Sequence, residues 1–271
     1  MTIRLQRLVA VLAAVVFALP ASAVPTPKLV KNISVTEHLG AQVPGDLVFK
    51  DTHGHTVHLG DYYSKDKPII LVLAYFECPM LCGLVLRGVA QALPKLGWTP
   101  GKQYRILTVS FDPRDGPVQA DKKQEMVFSE TGSLKLTRKD WPFLTGQESS
   151  IRPLLKVLGD HLAQDPKTGN FAHAAVIYVL TPKGKISRYL YGVNYPTTNL
   201  KLALLKASDG KTGSTFDRFL MCCYHYDPAT RSYGGFLSSF LKIGGAGIGL
   251  TVGGMLIVLW GAERKRRRAR R

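Results

Sequence analysis

The chain has 271 residues, 45% of them hydrophobic and 20% charged, with a formal net charge of +17. It is too apolar to be disordered and long enough for one good-sized domain with peripheral segments. The charge does not point to nucleic acid: seven of the 36 basic residues close the chain and two open it, which leaves 27 against 18 acids, or +9, on the rest.

Arg4 and Arg7 precede the apolar run Leu8 to Leu19, and Pro20-Ala21-Ser22-Ala23 offers a small-residue cleavage site, so residues 1–23 read as a secretory signal peptide. Residues 24–45 carry Pro25, Pro27 and Pro44 and read as an extended leader. A domain is expected over residues 46–210. Within it, Asp46 to Lys50 and Thr56 to Leu59 read as short strands around a turn at Asp51 to His55. Ile69 to Ala74 is an apolar run with the length of a buried strand, followed by a cysteine-bearing loop and a helix to about Leu96.

Tyr104 to Phe111 is the next strand, Val118 to Ser129 a helix and Trp141 to Leu144 a short strand. A helix from Ser149 to Leu162 is expected to carry Pro153 in its first turn. His173 to Leu180 and Lys185 to Tyr191 flank the turn Thr181-Pro182-Lys183-Gly184, a hairpin signature, and Asn199 to Ala207 is a last amphipathic helix. The alternation gives an α/β class with a mixed central sheet flanked by helices.

Beyond a juxtamembrane segment, 211–236, comes a transmembrane helix, 237–262, whose stretch from Ile243 to Trp260 is free of charge. Lys242 near its start has a stem long enough to snorkel. The tail, 263–271, is basic, so by the positive-inside rule the C-terminus is cytoplasmic. Together the ends imply a single-pass protein of a bacterial inner membrane, its main domain in the periplasm.

The four cysteines form two local pairs, Cys78 with Cys82 and Cys222 with Cys223, rather than a disulfide framework. Cys78 and Cys82 follow the strand at Ile69 to Ala74 directly. A helix N-terminus there favours thiolate over thiol. On a regular helix their Cβ atoms would lie about 5–6 Å apart, wider than the roughly 3.8 Å of a disulfide, which suits a shared metal ion without excluding redox exchange. His53, His55 and His58 straddle the first turn; His53 and His55 share a face and could hold a weak metal site, although solvent-exposed turn residues are the plainer reading. Asp112 and Asp115 are read either as an Asp-Pro turn with a helix cap or as charges beside the cysteine loop. Cys222, Cys223 and His225 form a second thiol and imidazole patch near the membrane, open to an auxiliary metal, redox or structural role.

Three motifs in order carry a resemblance: Tyr75-Phe76-x-Cys78-Pro79-x-x-Cys82, Ser110-Phe111-Asp112-Pro113-Arg114-Asp115, and Phe171-Ala172-His173 leading to Thr181-Pro182-x-Gly184. Over residues 43–207 the chain resembles the Sco/SenC family of copper-handling cytochrome c oxidase assembly proteins. That resemblance implies a thioredoxin-like fold and copper, Cu(I) or Cu(II), held by Cys78, Cys82 and His173. It implies as partners the copper-bearing subunit of the oxidase and copper donor proteins. The family's usual layout places its anchor before the domain, whereas here a signal peptide and a C-terminal anchor take its place. A thiol-disulfide oxidoreductase acting through Cys78 and Cys82 on the oxidase's copper-site cysteines is the alternative. A peroxidase on the same fold would want a Thr or Ser three residues before its cysteine, where Tyr75 stands.

Overall fold

The computed structural model describes residues 34–78, 81–165, 169–209, 224–227 and 232–235. It begins with β1 (Ser34–Val35) and a hairpin of β2 (Val48–Lys50) and β3 (Thr56–His58). Phe49 is buried between two exposed neighbours, the period-two pattern of a strand with one face on the core. β4 (Ile69–Ala74) follows, and all of its residues are buried. A strand apolar on both faces needs a cover on each side and neighbours on each edge, which fixes it at the centre of the sheet.

After β4 come α1 (Leu81–Ala92), which tightens into a 3-10 turn at Leu93–Leu96, then β5 (Arg105–Ser110) and α2 (Pro117–Ser129). Pro117 opens α2, where its missing N–H costs nothing. β6 (Phe143–Leu144), α3 (Glu148–Leu158) and three two-residue strands, β7 (Asp160–His161), β8 (Ala163–Gln164) and β9 (Phe171–Ala172), lead to β10 (Val176–Leu180), β11 (Ile186–Tyr191) and α4 (Thr197–Ala207). Among the described residues, β12 (Tyr224–Asp227) and β13 (Ser232–Gly235) pair with each other.

The central sheet has the order β11-β10-β4-β5-β6. β4, β5 and β6 are parallel, and β10 runs antiparallel to both β4 and β11. The C-terminal ends of β4 and β5 therefore meet the N-terminal end of β10 at one edge: Ala74 pairs with Ser110, and Val72 with Ile177. α1 packs on β4 and α2, and α4 on β10 and β11. This is the mixed α/β, thioredoxin-like arrangement expected.

Several boundaries differ from expectation for identifiable reasons. α3 stops at Leu158 because Gly159 takes the left-handed conformation (φ 66°) and its N–H caps Leu155 and Lys156. The next residues then pair with β1, Val35 opposite Asp160. Pro153 lies inside α3 rather than in its first turn. β10 starts at Val176, so His173 sits on a connector between β9 and β10 and not on a strand. The segment expected as a leader is stitched to the fold from Ser34 onward: Gly40 and Val43 donate N–H bonds to Ile186 and Gly184 carbonyls at 2.8 and 3.0 Å, and Val43 is fully buried.

The expected signal peptide, transmembrane helix and basic tail lie outside the described residues, as does the expected juxtamembrane segment apart from the backbones of β12 and β13. Among the described residues no helix is long and apolar enough to cross a membrane.

Gly97 and Gly159 share a φ of 66°, but a Cβ on Gly97 meets nothing, whereas one on Gly159 would lie 1.9 Å from the Thr36 carbonyl oxygen. Gly97→Ala is expected to cost only the left-handed penalty of about 1–2 kcal/mol. Gly159→Ala should cost distinctly more, because the β1–β7 pairing must part to admit it. Urea unfolding of the two variants measures the difference, and equal losses would refute the contact.

Candidate metal centre

The fully buried β4 must leave the sheet at Ala74, and the chain turns at once: the Cys78 N–H donates to the Tyr75 carbonyl at 3.3 Å. Cys78 sits in this turn, half-buried, while Cys82 is the second residue of α1 and has no exposed surface. Both are present as thiols rather than as a disulfide. The Cys82 N–H donates to Cys78 Sγ at 3.3 Å, so the first turn of α1 is capped by a sulfur.

His173 arrives from the opposite side of the sheet edge. Its Nδ1 lies 2.8 Å from the Ala174 carbonyl oxygen, which can only accept, so the ring carries its proton on Nδ1. Nε2 is left with a lone pair, and Cys82 Sγ stands 2.9 Å from it. The Cys82 thiol is thus the donor to the imidazole. Burial pushes the Cys82 thiol strongly up, and the neighbouring Cys78 sulfur adds to the shift. The expectation that the helix N-terminus would favour thiolate fails at Cys82. A helix end contributes at most about 2 kcal/mol, whereas an uncompensated buried charge costs several.

Three aromatic rings tie the loops together. Tyr75, before the cysteines, packs on Phe111 after β5 (ring centres 5.5 Å apart) and on Phe171 before His173 (5.7 Å). Phe111 in turn meets the His173 ring edge-on at 5.1 Å. The Tyr75 hydroxyl is kept protonated first by burial and then by its hydrogen bond to Cys78.

Polar groups lock the same three loops. The buried Asp115 carboxylate accepts the Phe76 N–H at 2.7 Å and the Ser110 hydroxyl at 2.5 Å, joining the exits of β4 and β5. Its pKa is raised by burial, against the pull of those two bonds. Asp112 is buried as well and is gripped by Arg114, whose Nε and Nη2 donate to its two oxygens at 2.8 and 2.6 Å. Arg114 also donates to the Gly169 carbonyl at 3.1 Å and covers the Phe171 ring at 5.6 Å, so it fastens the hairpin of β8 and β9 that delivers His173. Neither aspartate touches the cysteine sulfurs through any of these bonds. Sequence reasoning missed Tyr75, Phe171 and Arg114 as parts of the site, because only the fold brings them together.

The structure brings Cys82 and His173 into direct contact and places Cys78 next to Cys82. Among the described residues no three His, Cys, Asp or Glu side chains are yet gathered closely enough to hold an ion. Metal bonds of about 2.3 Å to sulfur and 2.0–2.1 Å to nitrogen put the donors about 3.5 Å apart around a tetrahedral centre. The observed 2.9 Å is a thiol hydrogen bond, which must open by about 0.6 Å to admit an ion. The donors fit a soft metal in kind, and the thiol proton holds its place. The second patch expected at Cys222, Cys223 and His225 falls outside the residues whose side chains are described.

A thioredoxin-like domain with a dithiol and an imidazole at the sheet edge defines a class of soft-metal or thiol proteins. The profile of the SCO1/SenC family matches residues 36–203, and the chain belongs to that family. No curated protein sequence matches it. A candidate electron transfer protein of Aquifex aeolicus VF5 is 30% identical, with a TM-score of 0.57, over 66% of this chain and 98% of its own. BsSco, a member of the Sco family of cytochrome c oxidase assembly proteins in which a disulfide switch is described, is 23% identical with a TM-score of 0.50, over 65% of this chain and 98% of its own. Arabidopsis thaliana ScoI, solved with copper bound, is 20% identical with a TM-score of 0.48, over 61% and 97%.

Replacing Arg114 by Ala removes no candidate ligand but leaves the buried Asp112 carboxylate only the backbone N–H of residue 114 in place of the guanidinium fork. The expected loss is about 1.5–3 kcal/mol of stability, the range for hydrogen bonds to charged groups, read by chemical denaturation. Arg114→Lys should recover only part of it, since an ammonium cannot grip both oxygens in the fork geometry.

Proposed function

We propose that this protein is a membrane-tethered copper metallochaperone for assembly of the copper centre of cytochrome c oxidase, holding its cargo with Cys78, Cys82 and His173. The observation that carries the reading is the Cys82 Sγ to His173 Nε2 contact of 2.9 Å, with Cys78 Sγ on the Cys82 N–H. Two thiolates and an imidazole are the donor set that selects Cu(I) by softness and also accommodates Cu(II). Membership of SCO1/SenC supports the choice of copper over zinc, and the name of BsSco as an oxidase assembly protein supports the partner. The apolar stretch from Ile243 to Trp260 and the basic tail after it support a tether that keeps the domain at the membrane surface. On this reading the oxidase's copper-bearing subunit is the acceptor, and a periplasmic copper protein the donor.

Loading replaces the proton between Cys82 and His173. His173 keeps its Nδ1 proton on the Ala174 carbonyl throughout, so the nitrogen that meets the cargo is fixed in advance. The Phe111 and Phe171 rings shield the imidazole side, while half-buried Cys78 is the open side.

A thiol-disulfide oxidoreductase is the second reading, favoured by one observation: Cys78 is half-buried in the turn and accepts the N–H of Cys82 at 3.3 Å, which places an accessible sulfur directly beside a buried resolving partner. Cys78 would attack the target disulfide, and Cys82 would resolve the mixed disulfide, leaving the target reduced and Cys78 and Cys82 joined.

The test is titration of Cu(I) and Cu(II) into the full chain. One ion is expected to bind through this site; Cys78→Ala and Cys82→Ala should abolish that event, and His173→Ala should remove Cu(II) binding at this site while sparing dithiol exchange. Oxidase assembly that survives His173→Ala unchanged would sink the chaperone reading and leave the reductase.

Because the raised Cys82 thiol must lose its proton to bind, affinity should weaken as pH falls and strengthen as it rises, without a plateau near neutral pH. Competition with a copper chelator across pH measures this. A flat profile would mean that Cys82 is not a ligand.

A further inference from the structure

The turn between β2 and β3 carries chemistry that the copper reading does not use. The His53 and His55 rings are exposed, with centres 5.9 Å apart and planes tilted by 52°. They open on a cavity shared with Asp51, Tyr62 and Arg138.

Asp51 organises the pair. Its Oδ1 accepts the N–H groups of both His53 and His55 at 2.9 Å, which fixes the turn, and its Oδ2 stands 3.2 Å from His55 Nδ1. A carboxylate on Nδ1 holds the imidazole proton there and leaves Nε2 as the free lone pair. The same carboxylate and imidazole pairing orients histidines that bind metals. These bonds also lower the Asp51 pKa against the opposing effect of burial, so the carboxylate stays ionised.

We infer that His53 and His55 bind a divalent ion of the Cu(II), Zn or Ni type at the hairpin tip, separately from the cysteines. Imidazole suits all three ions. With metal to nitrogen bonds of about 2.0–2.1 Å, two rings on one ion have centres about 5–6.5 Å apart, depending on the angle between them. The observed 5.9 Å lies inside that range, so the two rings already stand at the spacing a shared ion requires. His58 takes no part; it faces Asp61, 4.0 Å away. Since no third His, Cys, Asp or Glu converges there among the described residues, water fills the remaining positions and the ion exchanges readily. Arg138 and Lys139 both line the cavity; the Arg138 charge is met by Asp121, which accepts from its Nε at 2.8 Å, and the ionised Asp51 offsets the Lys139 charge.

The test is titration of Ni(II), which does not oxidise thiols, into the full chain, read by paramagnetic broadening of imidazole resonances. His53 and His55 should broaden together. Asp51→Asn should weaken the event roughly 10- to 100-fold, as losses of such partners do. Cys78→Ser with Cys82→Ser should leave the event in place, which separates it from the copper reading. The paired variant His53→Gln with His55→Gln should abolish it, and both positions are exposed, so the fold is kept. Unchanged Ni(II) affinity in that paired variant, or loss of the broadening with the cysteines alone, overturns the site.

Discussion

Burial of β4 on both faces is the constraint from which the rest of the structure follows. Its apolar run can be satisfied only at the sheet centre, with β5 on one edge and β10 on the other. Strand directions then bring the exits of β4 and β5 and the entrance of β10 to one edge. Residues separated by 91 positions, Cys82 and His173, meet there without any local signal that they should.

The same burial decides the chemistry of the cysteines. A thiol at the start of a helix is ordinarily acidified, yet Cys82 is driven the other way, because desolvation outweighs the helix end. The site is therefore stored with the Cys82 thiol protonated, a form that is cheap to bury. Around it, the ionic bonds are placed one layer out. Asp115 and the Asp112 with Arg114 pair fix the loops and leave the sulfurs clear.

Much of the fold could be read from the chain, since long apolar or periodic runs mark β4, β5, α1, α2, β10, β11 and α4 within a few residues. The two-residue strands β1, β7, β8 and β9 could not, because a pair of residues has no period to detect, and β1 lies in a stretch that reads as leader. The ligand candidates were legible because their spacing and motifs are local. What orients them was not. Tyr75, Arg114 and Phe171 each stand in one of the three motifs, but only tertiary pairing makes them one cluster.

One asymmetry has consequences for traffic through the site. Cys78 is half-buried in a turn, while Cys82 and His173 lie beneath it against the aromatic rings. An approaching thiolate or thioether meets Cys78 first and reaches the inner pair only after displacing it. If the chaperone proposal holds, exchange would therefore be ordered, with the outer sulfur letting go first and recapturing first, so that a partner must reach past Cys78 to be served.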